Sequence, residues 1–311
     1  MQSGSADRRG GLLLGLAAYA LWGIMPLYFK LLAGVPPSAI VAHRILWSLV
    51  LLAVLASLWH RWPAMRAAVR DRRVLATLAA TAVLIGANWL VYIWAVLNGH
   101  VLAGSLGYYL NPLVNVALGV LVLKERLSRA QGVAVALAGL GVALLAAGAG
   151  SGLWISLFLA VSFASYGFLR KIAPAAAIEG LAIETALLAP LALGWVLWLG
   201  PAGGFPSGGS RDIFLILAGA VTAVPLLLFT AAAKRLPYST LGFLQYIAPS
   251  LQFVLAITAF GERLTTAHIL CFGLIWTALA IFVAEGVRSG RAAARARAEQ
   301  AAACRAAAEA S

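Results

Sequence analysis

Residues 104–127, GSLGYYLNPLVNVALGVLVLKERL, are followed later in the chain by a second copy at 239–264, STLGFLQYIAPSLQFVLAITAFGERL. Each copy runs from Ser/Thr-Leu-Gly through an aromatic patch, a proline and an apolar stretch to Glu-Arg-Leu. Pro112 precedes Glu125 by 13 residues, and Pro249 precedes Glu262 by 13. At the resulting offset of 137, Tyr109 falls on Tyr246, and the polar pair Tyr108/Asn115 falls on Gln245/Gln252. A small indel before the proline is needed to match Ser105 with Thr240. An internal repeat of this kind decides the architecture and is read before anything else.

The 311 residues around it are 63% hydrophobic and 11% charged, with a mean hydropathy of +0.94. That is too little polar surface for a soluble domain of this size, and the chain reads as a polytopic membrane protein. A helix needs about 20 mostly apolar residues to cross a ~30 Å hydrocarbon core. Ten such runs are predicted, at 11–32, 39–59, 74–97, 101–123, 131–150, 153–169, 181–199, 213–233, 237–260 and 267–285. The runs lack the alternation of a lipid-facing barrel, so the expected class is all-α integral membrane.

The net charge of +13 is distributed by loop. With the N-terminus placed in the cytoplasm, nineteen of the 23 Lys and Arg fall on the cytoplasmic side. Lys30, Arg211 and Arg263 fall opposite, and Arg44 lies within a span. This is the positive-inside pattern; it puts both termini in the cytoplasm and indicates no nucleic-acid partner. The first run is too long for a signal-peptide core and reads as an uncleaved span. Cys271 falls in a span and Cys304 in the tail, which implies no disulfide.

Five runs precede the glycine-rich joint at Ala147–Gly152 and five follow it. The fourth matches the ninth; Trp94-Ala95 of the third falls on Ala231-Ala232 of the eighth. A repeat that crosses an odd number of times forces its copy to enter from the other side. The expected organisation is therefore two inverted repeats, 11–150 and 151–285, between a short N-terminal tail (1–10) and a basic C-terminal tail (286–311). Secondary transporters built this way bind substrate near the midplane, between the repeats.

The stretches AAYALWGIMPLYFKLL with HRILWS, VLIGANWLVYIWAV, SLGYYLNPLVNVALGV with KERL, and STLGFLQYIAPSL are similar to those of the RarD family. That family is a branch of the EamA-type drug/metabolite transporter superfamily. The resemblance covers roughly residues 10–285. It implies ten helices in two EamA repeats and a bacterial inner-membrane carrier of small organic molecules.

Several residues are candidates for carrying transport. Pro112 and Pro249 fall near mid-bilayer and free the carbonyls of Tyr108 and Gln245. One mid-span proline reads as a tolerated kink. A matched pair flanked by a face of Tyr108, Asn111 and Asn115 in one copy, and of Gln245, Ala248 and Gln252 in the other, with Tyr246 a further candidate, reads as the wall of a wet cavity. Tyr19 and Trp22 of the first run, Asn88, Tyr92 and Trp94 of the third, and Tyr166 of the sixth add aromatic and amide groups. Such a lining suits an amphipathic or aromatic organic substrate better than a bare ion.

Ionisable groups inside a membrane are costly and mark functional sites by default. His43 and Arg44 sit about one turn inside one end of the second run, and Glu184 about one turn inside the other end of the seventh. They are candidates for gating or coupling, with snorkelling at a helix end as the alternative. If protons couple transport, Glu184 or His43 is the expected carrier of the proton. Glu125-Arg126 and Glu262-Arg263 read as loop closures or helix caps.

No nucleotide-binding loop, metal-ligand spacing or nucleophile motif is present, so no cofactor and no enzymatic activity are expected. The partners expected are a small organic substrate and membrane lipids. A secondary carrier is the leading reading, with a facilitative uniporter or channel-like permease next and a scaffold or receptor behind it. Neither the cargo nor the oligomeric state follows from the residues.

Overall fold

The computed structural model describes residues 3–97, 100–147, 152–203, 205–258 and 266–309, all helical or connecting, with no strand among them. The helices are α1 (Ser3–Leu31), α2 (Pro37–Leu58), α3 (Trp62–Arg70), α4 (Arg72–Leu97), α5 (Val101–Leu121) and α6 (Arg129–Ala146). They continue with α7 (Leu153–Ile172), α8 (Ala177–Leu199), α9 (Ser210–Arg235), α10 (Tyr238–Gln245), α11 (Ile247–Thr258) and α12 (Thr266–Glu309). Helix occupies each of the ten predicted runs. Seven helices are long and apolar enough to cross a membrane; α5 and α6 contribute shorter apolar stretches, Leu106–Leu121 and Arg129–Leu144.

The two prolines of the repeat behave differently. Pro112 lies inside unbroken α5, whereas the ninth run divides at Tyr246 into α10 and α11. Pro249 cannot donate to the Gln245 carbonyl. Just ahead of it, the Tyr246 amide reaches Phe243 O at 3.2 Å, a tighter turn than an α-helix makes. Identical chemistry at one register therefore leaves a continuous helix in one copy and a break in the other.

Helix α3 was not anticipated. Proline sits in its first turn, where a missing N–H costs nothing. Asp71 separates it from α4 by accepting hydrogen bonds from the Arg73 and Val74 amides at 2.8 and 3.2 Å, which caps α4. The basic tail continues α12 without interruption as far as Glu309.

The most extensive contacts pair α6 with α12, α1 with α9, α5 with α7, α2 with α8 and α9, α5 with α10, α4 with α7, and α1 with α11. Each pair joins a helix before residue 147 to one after residue 152. The two halves of the chain interleave, and neither makes a self-contained bundle. Close crossings depend on small residues. A Cβ on Gly219 would lie 2.6 Å from the Ser48 amide, and one on Gly242 would lie 2.8 Å from the Pro112 carbonyl.

Many of the basic loops gather at one end of the bundle. Lys171, at the end of α7, donates to the Ala233 and Leu236 carbonyls at 2.8 and 2.6 Å. Lys234, at the end of α9, returns the bond to Ala173 and Ala175 at 2.8 and 2.5 Å. Each lysine thus satisfies carbonyls in or just beyond its partner's last turn, where a cation is also favoured by the helix dipole. Asp7 pairs with Arg235 at 2.9 Å and Arg61 with Glu179 at 3.3 Å at the same end.

Candidate functional site

Three of the expected lining residues come together. Tyr19 and Trp22 of α1 have ring centroids 5.6 Å apart, and both pack against Phe229 of α9, at 6.2 and 5.7 Å. Tyr166 of α7 stacks on the same ring at 6.5 Å, and Phe163 closes the group 5.9 Å from Trp22. Phe163 and Phe229 went unremarked in the sequence because phenylalanines in apolar runs carry no distinguishing pattern. Tyr19 and Tyr166 are fully buried, so this cluster is packed core between α1, α7 and α9.

Arg44 lies in a second group. Its Nε donates to Thr222 Oγ1 of α9 at 2.7 Å, and Thr222 in turn donates to the Ala218 carbonyl at 2.7 Å. The guanidinium carbon sits 5.7 Å from the Phe29 ring and 5.2 Å from the Trp89 ring. Tyr28, Tyr92 and Tyr108 lie close enough to interact with its charge. Tyr92 and Tyr108 meet edge to face at 5.5 Å, and Tyr108 remains 37% exposed. The side chain does not snorkel; it is drawn across α2 toward α1, α4 and α9.

Glu184 is likewise held inside. Its side chain is 1% exposed and forms an ion pair at 3.4 Å with Arg170, which is completely buried. Thr81 of α4 donates to Glu184 Oε1 at 2.6 Å, and Tyr166 donates to Oε2 at 3.4 Å. Arg170 also donates to the Ala176 and Ala177 carbonyls at 3.3 and 3.2 Å. A Cβ on Gly180 would collide with the guanidinium, so that glycine makes its seat. In the sequence Arg170 counts only as one of the Lys and Arg assigned to the cytoplasmic side; its buried pairing with Glu184 is seen only in the structure. The available signal was its position four residues after Tyr166, on one helical face.

The proline-bearing segments cross where α5 meets α10. Asn115 donates to Gln245 Oε1 at 2.7 Å. Asn111 is buried beside it in sequence, 2% exposed. Gln252, the repeat counterpart of Asn115, instead donates to the Trp22 carbonyl at 3.1 Å and ties α11 to α1. Tyr246 is buried in an apolar group with Phe243, Cys271 and Ile275. Near this crossing Glu125 accepts from the Tyr238 and Ser239 amides at 2.6 and 2.9 Å, and from Ser239 Oγ at 2.6 Å. It caps α10 from the loop after α5. Glu262 and Arg263, the corresponding pair, lie outside the described residues.

Other candidates lie apart from these groups. Asn88 donates to the Leu159 carbonyl and Ser162 Oγ, both at 2.9 Å, and joins α4 to α7. Trp94 stacks on His100 and lies 5.7 Å from the exposed Trp154. His43 is 2% exposed with its ring 5.3 Å from Phe205, and its Nε2 has no hydrogen-bond partner. Between Thr222 and Glu184 runs a narrow void of about 10 Å³, lined among others by Ser48, Trp89, Tyr166, Glu184 and Thr222. It has room for about one water.

The EamA-like transporter family model matches residues 9–147. An uncharacterized transporter of Pseudomonas aeruginosa is 48% identical over 290 residues, covering 92% of this chain and 97% of that protein. Protein RarD of Escherichia coli is 46% identical over 286 residues, with 91% and 97% covered. A solved crystal structure superposes with a TM-score of 0.70 over 89% of this chain and 98% of that one; at 21% identity it shows the fold alone. With helices of membrane-spanning length and relatives matched nearly end to end, the chain belongs to the RarD family of the EamA-type drug/metabolite transporter superfamily and is a multi-pass membrane transporter.

Proposed function

We propose that this protein is a secondary carrier that exports small organic molecules across the bacterial inner membrane by alternating access. In this reading the chain crosses ten times, as inverted repeats 11–150 and 151–285, with both tails in the cytoplasm. The carrying observation is the pattern of helix pairs. Exchange each run for the one five places along, and α1–α9 becomes α7–α4, while α5–α7 becomes α11–α1. The pairs α2–α8, α6–α12 and α5–α10 return to themselves. A two-fold relation between inverted copies requires this self-correspondence.

The departures from symmetry support a conformational state. Asn115 reaches Gln245 near the basic end, but the symmetry-related pair, Gln252 and Tyr108, does not meet. Glu125 seals the basic end further. The basic end is the cytoplasmic one by the positive-inside rule, and these contacts support a state closed at that end. Because the halves interleave, the moving bodies mix both: α1 with α9 and α11 against α4 with α5 and α7, over the α2–α8 contact. Glu184 is engaged by Arg170, so we assign it to closing the inner end; exchange or uniport then requires no proton carrier.

Counterflow in proteoliposomes tests the reading. Preloaded cargo, taken from metabolite profiles of cells with and without the gene, accelerates entry of labelled cargo through a carrier and not through a channel or scaffold. Cysteine labelling that placed Arg72 and Lys234 on different sides of the membrane would overturn the inverted arrangement.

A further inference from the structure

We propose that Arg44 is the recognition residue for an organic monoanion, a carboxylate attached to an aromatic or otherwise flat apolar body. The inference rests on the carrier reading for what is done with the bound anion, but its chemistry is argued from this site alone.

Arginine has five N–H donors, and here one is used, on Thr222. The four on Nη1 and Nη2 meet no hydrogen-bond acceptor among the described residues. Seven carboxylates have described side chains, and none pairs with Arg44. Asp7, Glu179, Glu184 and Glu285 have their own cationic partners. Asp71 and Glu125 cap helices, and Asp212 holds Ser207 and Gly208. A guanidinium inside a membrane protein with no counter-ion among the described residues is expensive. A bound anion would remove that expense and gain bidentate hydrogen bonds.

The surroundings narrow the class. Thr222 fixes the plane of the guanidinium from one edge. Phe29 and Trp89 contact it by cation–π geometry and supply apolar walls, while Tyr92 and the exposed Tyr108 offer hydroxyls on the far side. One cation among aromatic rings matches one negative charge on a flat apolar molecule. A phosphate dianion would bring a second charge for which this group of residues holds no partner.

The test uses the purified full-length chain in detergent, with Trp fluorescence as the binding signal. The probes are phenylacetate, indole-3-acetate and 4-hydroxybenzoate, each against its neutral amide. The expected result is saturable binding of at least one carboxylate, at least about 10-fold tighter than its amide. Arg44→Gln should abolish that preference. Thr222→Val keeps the charge but frees the fork, and should weaken carboxylate binding several-fold; it serves as the readout if Arg44→Gln does not fold. A wild-type protein without carboxylate-over-amide preference across the panel overturns the proposal, as does a preference that survives both substitutions. Counterflow separates the two readings. Transport of neutral cargo unaffected by Arg44→Gln leaves the carrier standing and the anion site refuted. Arg44-dependent carboxylate binding without counterflow of any bound probe does the reverse.

Discussion

The Glu125 carboxylate lies 2.6 Å from the Tyr238 backbone nitrogen, although 113 residues separate them in sequence. A loop of the first half thereby caps a helix of the second, at the end of the bundle where Lys171 and Lys234 lie. The backbone is arranged for it: Lys124 adopts φ +55°, and a Cβ on the preceding Gly119 would lie 2.8 Å from Glu125 Oε2. Replacing Glu125 with Ala should cost roughly 1–2 kcal/mol of stability through the lost cap. Thermal unfolding in detergent measures this. Gly119→Leu should reproduce the loss by displacing the same carboxylate, and an unchanged midpoint in both variants would remove the cap from the account.

Arg170 and Glu184 are both buried, and removing one partner strands the other. Glu184→Leu or Arg170→Met alone should destabilise by about 3–5 kcal/mol, whereas the double replacement should recover most of the loss. A double-mutant cycle on unfolding in detergent tests this. Glu184→Gln keeps the bond from Thr81 and should leave the response of transport to an imposed proton gradient the same as in the wild type. Loss of proton-driven uptake in that variant would instead make Glu184 the coupling group.

Asn115 and Gln245 touch at 2.7 Å, while their repeat counterparts Gln252 and Tyr108 are engaged elsewhere. Cysteines at 115 and 245, in a background lacking Cys271 and Cys304, should be joined by a short reducible thiol cross-linker. Counterflow should stop and return on reduction. Cysteines at 108 and 252 should cross-link only in the inward-open state, more readily when cargo drives turnover. Simultaneous formation of both bridges in one molecule would contradict alternating access.

At Gly219 the backbones of α2 and α9 are in contact, and Ser48 Oγ donates to the Gly219 carbonyl at 3.0 Å. Gly219→Ala should push the helices apart and cost about 1–3 kcal/mol. It should also loosen Arg44 from Thr222, one turn further along α9. Reduced stability combined with weaker aromatic carboxylate binding is the expected outcome.

Much of this was legible before any coordinates. The offset between Pro112 and Pro249 located the two related segments, and the Glu-Arg-Leu loops suggested caps, as Glu125 proves to be. Asn88 stood out as a polar group in a span, yet the residues could not say that its amide is spent on Leu159 and Ser162 of another helix. Arg170's pairing was hidden for a similar reason. A basic residue at a helix end reads as solvated until a glycine on a neighbouring helix, Gly180, is seen to make room for it.

Sequence alone determined the membrane class and the duplication, because hydropathy and repeat spacing are properties of the chain read in order. Tertiary structure decided which helices interleave, why one proline lies within a continuous helix while its twin divides one, and where each described buried charge finds its partner. Those outcomes depend on contacts between residues a hundred or more positions apart. The bilayer makes every run apolar around its circumference, so no stripe within a single run reveals which neighbour it will meet.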